Sequence, residues 1–291
     1  MNYNHKSDFP SSMMNKYERL EKLKNERKII IAGGSSSSYS INSTELQKRF
    51  KLPVVNTSLA MSLGSDFHLN ITTDYLSEGD VILYIPEYEF YYGRQKGDDF
   101  LYTTAFYYPK IVKDYTLQQQ KELFVKSVKL SFDYFKGSFI KLFEDSKKTD
   151  NKIDQYSRGA FNQLGDNISL LNEKKTLIKP SKRNRYQKLK NNHILSTYIN
   201  KLKEFNNICK SHGVKFIIGF PPLEKSQFSS QFNKDVNYIK NSTDLCFIGT
   251  PEEDVYSKDF FYDTSYHLLG KGREIRTNKL IKNLLKEKVF N

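Results

Sequence analysis

Residues 28 to 32, Lys-Ile-Ile-Ile-Ala, form a short apolar run dominated by β-branched side chains. A run of this length without alternation is the pattern of a strand buried on both faces of a parallel sheet. Similar runs recur at Leu52-Pro-Val-Val55, Val81-Ile-Leu-Tyr-Ile85, Val214-Lys-Phe-Ile-Ile-Gly-Phe220 and Leu245-Cys-Phe-Ile248. Between them the period changes. Leu195, Tyr198, Ile199, Leu202, Phe205 and Cys209 fall at helical spacing, and Gly213 is a natural stop. A helix is expected after Asn42 or Ser43, either of which can cap Thr44 to Phe50. Others are expected over 14–27, 117–143 and 230–241, and from near Gly272, the last burying Ile275, Leu280, Ile281, Leu284 and Leu285. Strands alternating with helices predict an α/β fold, a parallel sheet covered on both faces. Residues 145–190 are polar, basic and without period, which predicts an insertion or lid. The expected organisation is a helical extension over 1–27 and one α/β domain over 28–291, with an insertion at about 100–190.

The 291 residues are 38% hydrophobic and 14% aromatic, enough apolar material for a core, which excludes a disordered chain. Two cysteines exclude a disulfide scaffold and a cysteine-rich zinc module. No apolar run reaches the length that crosses a bilayer, and Met1 to Lys28 is too polar for a secretory signal. As written the chain is expected to be cytoplasmic, unless an anchor was removed or a partner carries it. The net charge of +13 invites a polyanion. However, Lys far outnumbers Arg, and the positive charge is spread along the chain. The densest cluster, Lys179-Pro-Ser-Lys-Arg-Asn-Arg-Tyr186, reads either as a polyanion site or as a solvated loop. Nucleic acid is not the expected partner.

In open α/β sheets chemistry sits at the carboxyl ends of strands, so the first turn, Gly33-Gly-Ser-Ser-Ser-Ser-Tyr-Ser40, carries weight. It lacks the Lys of a phosphate loop and the third glycine of a dinucleotide fingerprint. Two readings remain. The glycines allow a sharp path that presents Ser35 as a nucleophile, or the serines only bond the local backbone. A serine hydroxyl needs an adjacent base. Of five histidines, His5 is in the charged tail, His193 and His212 lie at helix ends, and His68 is on an expected helix after Gly64. His267 alone sits in a loop with a nearby acid, Asp263, and following glycines, Gly270 and Gly272. An imidazole suits base catalysis near neutral pH, and a carboxylate can hold its tautomer. No metal-ligand spacing is present, so no metal or cofactor is expected.

The segments Ile29-Ile-Ile-Ala-Gly-Gly-Ser35, Asn56-Thr-Ser-Leu-Ala-Met-Ser-Leu-Gly64 and Asp263-Thr-Ser-Tyr-His267-Leu-Leu-Gly-Lys-Gly resemble the SGNH (GDSL-like) hydrolase superfamily. The chain looks most like the branch found among bacterial surface-polysaccharide genes. The resemblance implies a three-layer α/β/α, flavodoxin-like fold. It also implies Ser35 as nucleophile, the N–H groups of Ser35 and Gly64 as oxyanion donors, His267 as base and Asp263 behind it. Two departures stand out. The family's Gly-x-Asn-Asp after the third strand is replaced by Pro86-Glu-Tyr-Glu-Phe90, leaving Ser36 or Asn56 as alternative third donors. Losing such a donor typically costs about 10²–10³ in rate, so activity is expected to be weak or specialised. The acid lies four residues before the histidine instead of three, with Thr264 in the usual place, and Asp259 or a backbone carbonyl is an alternative orienter.

Glu87 and Glu89 either bind sugar hydroxyls at the site or pair with Arg94 or Lys96, and Tyr88, Tyr91 and Tyr92 form either an aromatic wall or plain packing. The function implied is serine-dependent acyl transfer: a carbohydrate O-acetyl esterase or O-acetyltransferase acting on a bacterial surface polysaccharide or its precursor. Its partners would be an acylated carbohydrate or acyl donor and, in a transferase, a membrane-bound acyltransferase. The alternative is a catalytically weak or inactive glycan-binding or assembly protein.

Overall fold

The Ile-Ile-Ile run forms β1 (Ile29–Gly33), which pairs in parallel with β2 (Val54–Asn56) on one side and β3 (Val81–Ile85) on the other. β4 (Lys215–Ile218) and β6 (Cys246–Phe247) complete a five-stranded parallel sheet of order β2-β1-β3-β4-β6. This is the 2-1-3-4-5 order of flavodoxin-like doubly wound sheets, with its switch point between β1 and β3. The computed structural model describes residues 9–115, 117–128, 154–179, 183–189 and 193–290. The second half of the helix expected over 117–143 lies outside them. A pair that the sequence pattern did not predict, β5 (Leu223–Glu224) with β7 (Val255–Tyr256), forms a small parallel ribbon.

Side chains alternate across the sheet as the strand period requires. Ile30, Ala32, Ile82, Tyr84, Phe216 and Ile218 point to one face, where α1 (Ser12–Lys22), α4 (Ser65–Thr73), α7 (Ser196–Ser211) and α8 (Gln231–Ser242) cover them. Ile29, Ile31, Val81, Leu83, Ile85 and Ile217 point to the other, under α3 (Ser43–Phe50) and α9 (Gly270–Lys286). The result is a three-layer α/β/α architecture. Met13, Tyr17 and Leu20 of α1 lie in the same core as α4 and α7, so this helix packs against the sheet layer. Asn42 caps α3, accepting from the N–H groups of Thr44 and Glu45 at 3.2 and 3.4 Å. Gly213, at φ +67°, follows α7. At the amino edge of the sheet the buried Lys28 ammonium meets Asp80 at 2.8 Å, tying β1 to β3.

Two expectations change. Ile275 and Leu285 of α9 are exposed, and the buried face carries Arg273, Arg276 and Thr277 beside Leu280 and Leu284. The arginines replace apolar side chains because each finds acceptors in the interior. Arg273 donates to Ile41 O at 2.8 Å, Asn167 O at 3.2 Å and Asp166 at 2.8 Å, and Arg276 donates to Phe220 O at 2.7 Å. The other change concerns the expected insertion. Residues 154–170 are built into the core edge, with Ala160, Asp166, Asn167 and Leu170 buried. Two further helices, α5 (Asp99–Tyr107) and α6 (117–128), precede that stretch.

Asp166 is the polar hub of this region. Its carboxylate accepts from the Ser43 N–H and hydroxyl, from Asn56 Nδ2 at 2.8 Å and from Arg273. Removing one partner of a buried ion pair leaves an uncompensated charge and typically costs about 3–5 kcal/mol. Asp166→Ala is therefore expected to lower the unfolding free energy by about that amount. Urea denaturation followed by circular dichroism measures it, and a loss within the scatter of surface substitutions would contradict the hub.

Candidate active site

β1 ends at Gly33, and α2 (Ser35–Ser40) begins two residues later. Gly33 has no room for a side chain, and one at Gly34 would have to displace the Glu87 carboxyl. A β-carbon on Gly33, at φ +154°, would stand 2.4 Å from Ile85 O, and one on Gly34 would stand 2.2 Å from the Glu87 carboxylate. The close approach of β1 to the end of β3 thus sets the turn that presents Ser35. The other half of the site comes from the far end of the chain. Residues 260–269 fold back on themselves, with Tyr262 N–H donating to His267 O at 3.0 Å and Leu269 N–H to Phe260 O at 2.8 Å. At the tip, the Thr264 hydroxyl oxygen accepts from the N–H groups of Tyr266 and His267, at 3.2 and 3.1 Å. Thr264 thus shapes the turn.

The tip brings His267 to Ser35. The Ser35 hydroxyl lies 2.9 Å from His267 Nε2, and His267 Nδ1 lies 2.8 Å from Asp263 Oδ1. The carboxylate fixes the tautomer: Nδ1–H donates to Asp263, leaving Nε2 to accept from serine. His267 is buried and Ser35 is partly open. The four-residue spacing between acid and base is accommodated by the Thr264 turn. Asp259, the alternative orienter, is exposed and borders a different cavity.

Three residues that the sequence did not single out complete the arrangement. Tyr156 donates its hydroxyl to Asp263 Oδ2 at 2.7 Å, and Gln155 Nε2 does so at 3.2 Å. Burial pushes the Asp263 carboxyl up, but the bonds from His267 and Tyr156 outweigh it and hold the pKa below the ordinary value. Tyr39, one turn after Ser35 on α2, stacks on the imidazole at 4.1 Å between ring centroids, inclined by 21°. Its hydroxyl donates to Gln155 O at 2.9 Å. The 154–157 loop therefore grips both the acid and the ring's neighbour. Its only sequence signal is a cluster of Asn and Gly at 159–167, which reads as turn and carries no chemistry of its own.

The expected oxyanion donors fare differently. Ser35 N–H stands at the first position of α2, where a helix leaves its donors without intrahelical acceptors. The Gly64 N–H is engaged by Met61 O at 3.0 Å, and the 95–97 loop lies against its Cα. Gly64 is therefore corrected from donor to turn residue. Asn56 is also corrected: its amide donates to Asp166, and its Oδ1 accepts from Ser58 N–H at 3.1 Å, an Asx turn. Ser36 N–H donates to Glu87 Oε1 at 3.2 Å, and its hydroxyl is buried without a partner.

The proposed substrate contacts move inward too. Glu87, 1% exposed, lies beneath the Gly34 turn and not on a binding surface, and among the described residues no arginine or lysine pairs with it. Tyr88 is buried and stacks on Phe232 at 4.1 Å, a packing role. Tyr91 and Tyr92 are buried as well. Glu89 pairs with the Arg185 guanidinium and accepts from the Tyr266 hydroxyl at 2.9 Å, while Arg94 reaches it only through a backbone N–H to Glu89 O. His68 is buried with Nε2 2.9 Å from Ala60 O, and burial lowers its pKa to about 4. Among the described residues no group of three or more His, Cys, Asp or Glu is placed to hold a metal ion, and no helix is long and apolar enough to cross a membrane.

No family model matches the chain, and no curated protein matches it. The chemistry of the site therefore rests on its own geometry: an alcohol, an imidazole and a carboxylate in sequence, with one N–H at the alcohol's own residue.

Burial pushes the Glu87 carboxyl up from 4.5 to about 7, against the Ser36 bond that favours its charged form. The folded state thus binds a proton that the unfolded state releases between these values. That contribution is complete below pH 4.5 and is lost as pH rises through about 7. Glu87→Gln keeps an acceptor for Ser36 N–H and removes the titration. The wild-type chain is expected to lose on the order of 3 kcal/mol relative to the variant between mildly acidic and mildly alkaline pH. Paired urea melts across that range measure it, and parallel pH profiles would refute it.

Proposed function

We propose that this chain is a serine-dependent acyl-transfer enzyme that acts on an O-acetylated carbohydrate. The observation that carries the reading is the continuous relay from Ser35 Oγ through His267 to Asp263, with contacts of 2.9 and 2.8 Å. The relay stands at the carboxyl end of β1, beside the sheet's switch point, where doubly wound folds bind ligands. The resemblance of the Ser35 and His267 segments to the SGNH hydrolases supports the same reading and gives the substrate class, an ester on a bacterial surface polysaccharide or its precursor.

In this mechanism Ser35 Oγ attacks the ester carbonyl carbon while His267 Nε2 takes the hydroxyl proton. Asp263 stabilises the imidazolium, and Tyr156 and Gln155 hold Asp263. The tetrahedral oxyanion accepts from Ser35 N–H. Collapse breaks the bond to the sugar oxygen, which leaves with the proton from His267. Water as the second acceptor makes an esterase, and a sugar hydroxyl makes an O-acetyltransferase.

A second reading, a slow or inactive glycan-binding protein, is favoured by one observation. The N–H of Gly64, the amide of Asn56 and the N–H of Ser36 all have other partners. Labelling with a fluorophosphonate and hydrolysis of p-nitrophenyl acetate separate the two. Ser35→Ala is expected to abolish labelling, and Ser35→Ala and His267→Ala each to lower kcat by about 10³-fold or more. No labelling and no turnover by the wild-type chain would leave the binding protein as the better reading.

A further inference from the structure

A cavity of about 470 Å³ is lined by Glu89, Tyr92, Arg94, Arg185, Lys188 and Leu189. It touches the relay's own segment. The Arg185 guanidinium donates to the Ser265 hydroxyl and lies 4.5 Å from the centre of the Tyr266 ring, and Tyr266 immediately precedes His267. Ser265 and His267 are two residues apart, so their Cα atoms are separated by at most about 7 Å. Arg185 on the cavity wall and the imidazole are therefore held by one short turn.

The charge in the cavity is unbalanced. Three cations face one carboxylate, and Glu89 is taken up by Arg185 and Tyr266. Arg185 is held in place by that pair, and its Nε is buried without a hydrogen-bond partner. Lys188 makes one neutral contact, to Gln227 Oε1 at 3.0 Å. The exposed guanidinium of Arg94 makes no side-chain hydrogen bond or ion pair to the described residues, while its backbone N–H donates to Glu89 O at 3.1 Å. Burial lowers the Lys188 pKa, Arg185 lowers it further, and Glu89 opposes them in part. A planar guanidinium and a flexible ammonium at one opening are suited to carboxylate or phosphate oxygens.

We propose that this cavity binds an anionic substituent of the substrate, so that the preferred saccharide is acidic, carrying a carboxylate or a phosphate near the acylated position. The proposal rests on the acyl-transfer reading only for the ester; the anion site stands on the cavity itself. Arg94 and Lys188 make the contacts to the anion. Arg185, locked by Glu89 and Ser265, supplies field and shape.

The test is a chemical-shift titration of the isotope-labelled full chain with glucuronate, glucose 6-phosphate and glucose. At least one acidic sugar is expected to bind about tenfold or more tightly than glucose, the effect of one charge-assisted contact. The tighter of the two identifies the anion. Arg94→Gln and Lys188→Gln are each expected to reduce that preference several-fold, and the double variant to erase it. Equal binding of all three sugars, or a preference intact in the double variant, overturns the proposal. Fluorophosphonate labelling of the same samples separates the two readings. A chain that labels but shows no acid preference loses the anion site and keeps the acyl chemistry. A chain that shows the preference without labelling keeps the site and loses the chemistry.

Discussion

The site depends on how closely the end of β1 approaches the end of β3. Gly33 lies against a backbone carbonyl of β3, and Gly34 lies against the carboxyl of Glu87, with no room for a β-carbon at either place. This contact fixes where the chain leaves the sheet and starts α2, and so fixes the direction of Ser35. A side chain at Gly33 would push β1 and β3 apart, and one at Gly34 would displace the Glu87 carboxyl from Ser36 N–H. Glu87 has a double part here. It fills the space that Gly34 leaves, and it holds the N–H of Ser36, the residue after the candidate nucleophile.

A second constraint joins the surface loop to this turn. Asp166 draws α3, β2 and α9 together through Ser43, Asn56 and Arg273. Ten and eleven residues earlier in the chain, the same loop supplies Tyr156 and Gln155 to Asp263, and Gln155 O receives the Tyr39 hydroxyl. The interior network and the relay are therefore held by one stretch of chain. That stretch is anchored in the core by Ala160 and Phe161, and the buried Asp166 and Asn167 add hydrogen bonds where unpaired polar groups are costly.

The sequence carried the sheet well. The β-branched runs at 29–31 and 81–85 are strands, because only buried parallel strands use such side chains on both faces. The Gly-Gly-Ser turn and the Asp-Thr-Ser-Tyr-His segment also suggested the pair that meets in space. The 154–170 loop was illegible for a physical reason: side-chain bonds to backbone leave no periodicity. The buried face of α9 was misread for a related one. Hydropathy treats arginine as a surface residue, and only the positions of Ile41, Phe220 and Asp166 show that Arg273 and Arg276 have acceptors inside. The oxyanion donors were least legible, since local turns decide whether an N–H is free, and the turns at Asn56 and Met61 take theirs.

The alcohol and its imidazole are 232 positions apart, one at the first strand and the other near the last helix. A nascent chain emerging from the ribosome carries Ser35 early, with its reactive partner still unmade. The Ser35–His267 contact forms only once the 260–269 turn has been synthesised and docked beside α2. Under the proposed acyl-transfer function, completion of the tertiary structure is thus the step that gives the serine its base.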